Sequence, residues 1–212
     1  MTKFRFSAAA LFSASAVVLV SLIGGSPTRA GGDDDDHGQG QQGQQGQGGD
    51  RSRIRQGFAS APVELNLRGK NRHLVGLGSY LVNVAGDCNG CHTSDQQNPF
   101  LPGGNPFLGQ PEKIDPSKYL VGGTEFIPAH GPFPAIVSRN IRPEANGLPA
   151  SRTYAEFLQI IRTGIDLDHA HPQYGPLLQV MPWPNFRKMT DEDIRAIYEY
   201  LRALPPNPNP QP

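Results

Sequence analysis

Five consecutive residues, Cys88-Asn89-Gly90-Cys91-His92, constrain this chain more than any other stretch. Two thiols three positions apart on one helical turn face the same way, which suits thioether bonds to the two neighbouring vinyl groups of one haem. The histidine that follows is then carried under the iron as proximal ligand, and attachment to the chain replaces a binding equilibrium. Other uses of the cysteines fit less well. A structural zinc site needs four ligands, and the chain has no cysteine beyond these two. A thioredoxin-like pair belongs at a strand-to-helix junction in a βαβ pattern, whereas a helical pattern precedes Cys88 and no parallel-sheet pattern follows. A disulfide between the two thiols stays open for a chain that never receives haem.

With 212 residues, 25 Gly and 21 Pro, the chain has room for one modest domain with tails and much irregular backbone. Residues 1–30 read as an export signal. Lys3 and Arg5 form a basic start, Ala8 to Ile23 is apolar and small, and Thr28-Arg29-Ala30 offers a cleavage point. The apolar run is short for a spanning helix, so removal after Ala30 is expected, with an uncleaved N-terminal membrane anchor as the alternative. Losing Lys3, Arg5 and Arg29 leaves 16 Lys and Arg against 19 Asp and Glu, a formal charge of −3. A mildly acidic chain gives no argument for nucleic acid, which would want a concentrated basic face.

Residues 31–61 are dominated by Gly and Gln and read as a disordered tether. Asp33 to Asp36 with His37 form a solvated charge run, and Arg51, Arg53 and Arg55 answer it with the opposite sign. From Asn71 to Ala85, Leu74, Leu77, Leu81 and Val84 follow a helical spacing, which makes this the helix that delivers the motif. Gly76 and Gly78 weaken it and imply close approach of another helix. Thr190 to Leu204 is the nominated partner, with an N-cap at Thr190, acids from Asp191 to Asp193, and a stripe of Ile194, Ile197, Tyr198 and Leu201. Thr153-x-x-Glu156 is a capping box for a third helix that Gly164 stops. Asn98 to Asn140 has neither period and reads as one long loop, which a haem face could hold. Residues 62–206 form the expected domain, and 207–212 a Pro/Asn tail.

A helix feeding Cys88-x-x-Cys91-His92, a later Met-Pro and a closing amphipathic helix together resemble a class I c-type cytochrome. Gly86-Asp87-Cys88, Gly122-Gly123 with Phe126, Ser138-Arg139-Asn140-Ile141 with Pro143, Met181-Pro182-Trp183, and Thr190 through Leu201 are similar to the cytochrome domains that accept electrons from periplasmic dehydrogenases. The resemblance covers about residues 71–206. It implies a mostly α, cytochrome c-like fold of few helices around one covalently attached haem, with long Pro/Gly-rich loops. Arg142 departs from the pattern, which often has Thr there, and the family's subunits often carry several haem motifs where this chain has one.

The sixth ligand decides the chemistry. After signal removal Met181 and Met189 are the remaining thioethers, and Met189 is constrained by the start of the closing helix. Met181 sits among prolines that stiffen its loop, and the resemblance points to the same residue. A core methionine is the competing role for it. His130, His169 and His171 are rival ligands, and Asp168-His169-Ala170-His171 looks superficially like a metal-binding run. Trp183 could line the haem or bond a propionate, or be a plain core residue; Arg139 could pair with a propionate or lie on the surface. The expected function is that of a periplasmic monohaem electron carrier between a dehydrogenase and an oxidase or another cytochrome. Haem c and its iron are the cofactors. The rivals are a haem-based gas sensor, and a haem subunit of a sulfur-compound or alcohol dehydrogenase complex.

Overall fold

Gly78 and Gly76 fix how the helices cross. In the computed structural model, which describes residues 40–127, 134–166, 168, 170–171 and 175–207, with side chains from residue 49 onward, all described residues belong to the unit Gln39–Pro212. Helix α2 (Arg72–Tyr80) starts at Asn71, whose side chain accepts from the His73 and Leu74 N–H groups. Its Gly78 lies against helix α6 (Asp191–Ala203) so closely that a Cβ would overlap the Ala196 carbonyl. This is the approach expected of the closing helix. Gly76 faces the other way: a Cβ there would lie 2.6 Å from Ile54 and 2.7 Å from Phe58 of helix α1 (Gly40–Ser60).

Helix α1 corrects the expectation of a disordered tether through residue 61. The Gly/Gln composition argues for coil, but Ile54, Gly57, Phe58 and Ala61 recur on one side and find α2 and the core. Tertiary packing of such a face outweighs intrinsic propensity. The Gly57 carbonyl accepts the buried Ser79 hydroxyl at 2.6 Å, which locks the two helices in register. Residues 1–39, which include the expected export signal, lie outside the described residues.

Past Tyr80 the chain widens into one π-helical turn, Leu81–Ala85, closed by Gly86 N–H to the Leu81 carbonyl at 2.8 Å. Such turns cluster at functional sites. Asn83 within it gathers a buried polar chain. Its amide donates to the Ser79 carbonyl and hydroxyl, both at 3.0 Å, and to Tyr200 Oη at 3.1 Å, and its carbonyl accepts from Tyr119 Oη. Tyr119 and Tyr200 share a further hydrogen bond of 2.7 Å. Around it pack Val75, Val82, Leu120, Leu201 and Leu204.

The long loop is less structureless than its sequence. Its described residues include a 3-10 turn (Pro106–Leu108) and two antiparallel two-residue strands, β1 (Glu125–Phe126) and β2 (Ile136–Val137). Backbone pairs such as Leu101 N–H to Lys113 O and Asp115 N–H to Pro99 O tie it to itself. Helix α4 (Tyr154–Thr163) has the expected capping box at Thr153 and ends on Gly164 at φ +71°. Helix α5 (Trp183–Phe186) is a single turn, and α6 carries a second capping box, Thr190 with Asp193. No helix among the described residues is long and apolar enough to cross a membrane.

Arg142, the departure from the family pattern, is 3% exposed and meets carbonyls: Nε donates to Pro205 at 2.9 Å, and one terminal nitrogen to Pro116 at 3.0 Å and Tyr119 at 3.4 Å. It pins the chain's end to two loops. Beside it the Asn207 N–H donates to the Pro143 carbonyl at 3.3 Å. Arg142→Met leaves these acceptors without their donor and is expected to cost about 2–4 kcal/mol, read as a lower urea midpoint at unchanged m. An unchanged midpoint would deny Arg142 this role.

Candidate functional site

Helix α3 (Cys88–His92) is a single turn built on Asp87. Asp87 sits at φ +41°, a left-handed conformation Asp tolerates, and its carboxylate accepts the Gly90 N–H at 3.2 Å. A Cβ on Gly90 would lie 2.6 Å from that carboxylate, so a larger residue there would have to push the Asp87 side chain aside. The Asn89 side chain accepts the Leu120 N–H at 3.0 Å. The sequence assigned neither intervening residue a role; together they brace the turn that presents both thiols.

Cys88 and Cys91 are free. Burial, with the Asp87 carboxylate second, pushes the Cys88 thiol up to about 12 and raises that of Cys91 as well. A redox-active pair needs the opposite, a depressed thiol that supplies thiolate. Cys88 packs against the main core cluster, and both cysteines are half-buried.

The His92 Nδ1 lies 2.8 Å from the Arg139 backbone carbonyl. A carbonyl only accepts, so Nδ1 carries the proton and Nε2 keeps its lone pair, the arrangement a metal-ligating imidazole needs. Burial lowers the His92 pKa below its ordinary value, which also favours the neutral ring. The contact is held by backbone: the Gly122 N–H donates to the His92 carbonyl at 2.8 Å, and Gly122, at φ +71°, lies so close to Arg139 that a Cβ would overlap it. Gly122-Gly123 and Ser138-Arg139, separate pieces in the sequence, are thus one clamp on the histidine.

The Arg139 side chain joins a buried ionic cluster. Its guanidinium pairs with Asp166, which is 3% exposed and also accepts from Arg152 at 3.2 Å; Arg152 reaches on to Asp168. Arg152 Nε is buried with no hydrogen-bond partner among the described residues, an orphan donor of the kind an additional carboxylate satisfies. Sequence reasoning missed Arg152 and Asp166, because nothing in their local pattern shows that the fold brings them to Arg139. Asp168, the first residue of the apparent metal-binding run, is committed to Arg152. His171 has its Nε2 3.4 Å from the Pro134 carbonyl, whereas His130 and His169 lie outside the described residues.

Met181 lies on a separate segment, between Gly164 and α5. The base of that segment is a short antiparallel pairing: Asp166 N–H to Pro176 O and Leu178 N–H to Gly164 O, both at 2.8 Å. Trp183 closes it, with Nε1–H bonded to the Leu178 carbonyl at 3.1 Å and its ring pressed on Gly164. That indole N–H is therefore spent on the loop. Met189 packs with Leu77, Leu81 and Ala196, the core role that Met181 does not take. No hydrogen bond or core cluster among the described residues joins Met181 to α3.

The donor set fits a c-type haem: two adjacent thiols, an imidazole with the correct nitrogen free, a thioether outside the core, and an orphan arginine N–H. Ile127, Val137, Leu177 and Val180 are 80%, 53%, 43% and 38% exposed.

No family model matches the chain. It is 28% identical over 140 residues to the fructose dehydrogenase cytochrome subunit of Gluconobacter japonicus, which covers 66% of this chain and 23% of that protein. It is 29% identical over 131 residues to the gluconate 2-dehydrogenase cytochrome c subunit of Pantoea cypripedii, covering 62% and 23%. To the cytochrome c subunit of the quinone alcohol dehydrogenase of Gluconacetobacter polyoxogenes it is 32% identical over 128 residues, covering 60% and 21%. The chain thus spans less than a quarter of the length of these relatives. Their similarity supports a cytochrome c family for this chain.

Proposed function

We propose that the chain is a monohaem c-type electron carrier and not itself a catalyst. Cys88 and Cys91 would hold the haem covalently, with His92 and Met181 as the residues that would bind its iron. The observation that carries this reading is the His92 Nδ1 contact to Arg139 directly after two free cysteines, which leaves Nε2 for iron. The bound haem would supply a one-electron Fe(III)/Fe(II) couple. His92 is held neutral and oriented by Arg139; Met181, on its anchored segment, would supply the thioether that favours the ferrous state and leaves no place for a substrate. Within the charge-balanced cluster of Arg139, Asp166, Arg152 and Asp168, Arg152 Nε would be the waiting donor for a propionate.

The relatives are named as cytochrome subunits of dehydrogenases, which favours a dehydrogenase as electron donor, and an oxidase or another cytochrome as acceptor, in the periplasm. A cleaved signal over residues 1–30 belongs to the same proposal. The test is carbon monoxide added to the reduced, haem-loaded protein. An electron carrier with Met181 bound leaves the spectrum unchanged at sub-millimolar gas. Immediate formation of a carbonyl complex would instead favour the gas-sensing alternative.

A further inference from the structure

We propose that Asp166 is a positioning residue that couples the two axial ligands, holding the His92 clamp and the Met181 segment in one arrangement. The inference rests on the ligand assignment above. On one side the Asp166 carboxylate takes the guanidinium of Arg139, the residue whose carbonyl orients His92. On the other, the Asp166 N–H bonds the Pro176 carbonyl at 2.8 Å, one rung of the pairing at the base of the Met181 segment. The neighbouring rung, Leu178 N–H to Gly164 O, leads through the Leu178 carbonyl to Trp183, whose own N–H takes the Met181 carbonyl at 2.7 Å. A continuous path therefore runs from His92 through Arg139, Asp166 and the 164–178 pairing to Met181.

Burial gives the path its stiffness. At 3% exposure Asp166 is removed from solvent, and its two arginine partners satisfy both carboxylate oxygens from different elements. An ion pair so shielded holds its geometry better than an exposed one, and removing one partner leaves an uncompensated charge. The clamp on His92 and the segment carrying Met181 then shift together or not at all. Outer partners of metal ligands commonly change ligand affinity by roughly 10–100-fold, the scale expected here.

The test compares the haem-loaded full chain with its Asp166→Asn and Arg139→Gln variants, the second keeping the backbone carbonyl that His92 uses. Imidazole is titrated into the ferric form while the thioether–iron charge-transfer band is followed. In both variants the inference predicts that imidazole binds at least about 10-fold more tightly and that the band weakens, with covalent haem retained. Native-like imidazole affinity and an intact band in Arg139→Gln would overturn the coupling, whether or not Asp166→Asn folds. A native protein lacking the thioether band and binding imidazole freely would instead overturn the assignment of Met181. The two failures are thus distinguishable.

Discussion

Gly78→Ala is expected to destabilise the domain by about 3 kcal/mol or more, because the added methyl would overlap the Ala196 backbone carbonyl and crowd the Tyr200 Cβ at 2.8 Å. Backbone on α6 cannot step aside as a side chain can, so the helices must separate. Separation would also pull Tyr200 from Asn83 and Tyr119 and loosen the π turn that delivers Cys88. Gly76→Ala should cost less, since its contacts are the side chains of Ile54 and Phe58, which can rotate away. Gly49→Ala, with open space around it in α1, should be neutral or stabilise its helix by up to about 1 kcal/mol. Urea unfolding of the three variants gives the order directly, and equal effects at Gly76 and Gly78 would contradict the crossing described.

Met181→Ala is the second large effect. If Met181 is the ligand proposed, its loss would remove the thioether that prefers Fe(II), so the reduction potential should fall by on the order of 100 mV or more, a small share of the span that axial ligands command. Ferrous haem in the variant should bind carbon monoxide. Met189→Ala serves as the contrast, because Met189 fills the cluster of Leu77, Leu81 and Ala196: it should cost about 2–4 kcal/mol of stability and leave coordination unchanged. Retention of potential and of a closed iron in Met181→Ala, together with a change on substituting His169 or His171, would assign the sixth position to histidine.

The local signals were legible in the sequence wherever one residue type served one short-range purpose. The boxes at Thr153 and Thr190 and the Gly164 stop follow from propensity and sterics within a turn or two, whereas the glycine contact with α6 was legible only as the need for some close-packed partner helix. Helix α1 was not legible, because its stability comes from Ile54, Gly57 and Phe58 meeting a helix some 20 residues on, not from its Gln and Gly. The motif's location was readable, but not the bracing of its inner residues, since Asn89 finds Leu120 and Gly90 finds Asp87 only once the turn is folded. Arg142 and Asp166 are the plainest cases. Nothing local to either shows its burial, and each is buried because carbonyls or arginines from distant loops converge on it.

The central claim is that Cys88 and Cys91 hold one haem through thioether bonds. The most direct measurement is the intact mass of the chain, produced alongside a cytochrome c maturation system and then denatured in acid. The account predicts a polypeptide heavier by one haem, with the addition lost when both cysteines are replaced by alanine. A denatured mass equal to the bare polypeptide from the unsubstituted chain would contradict it.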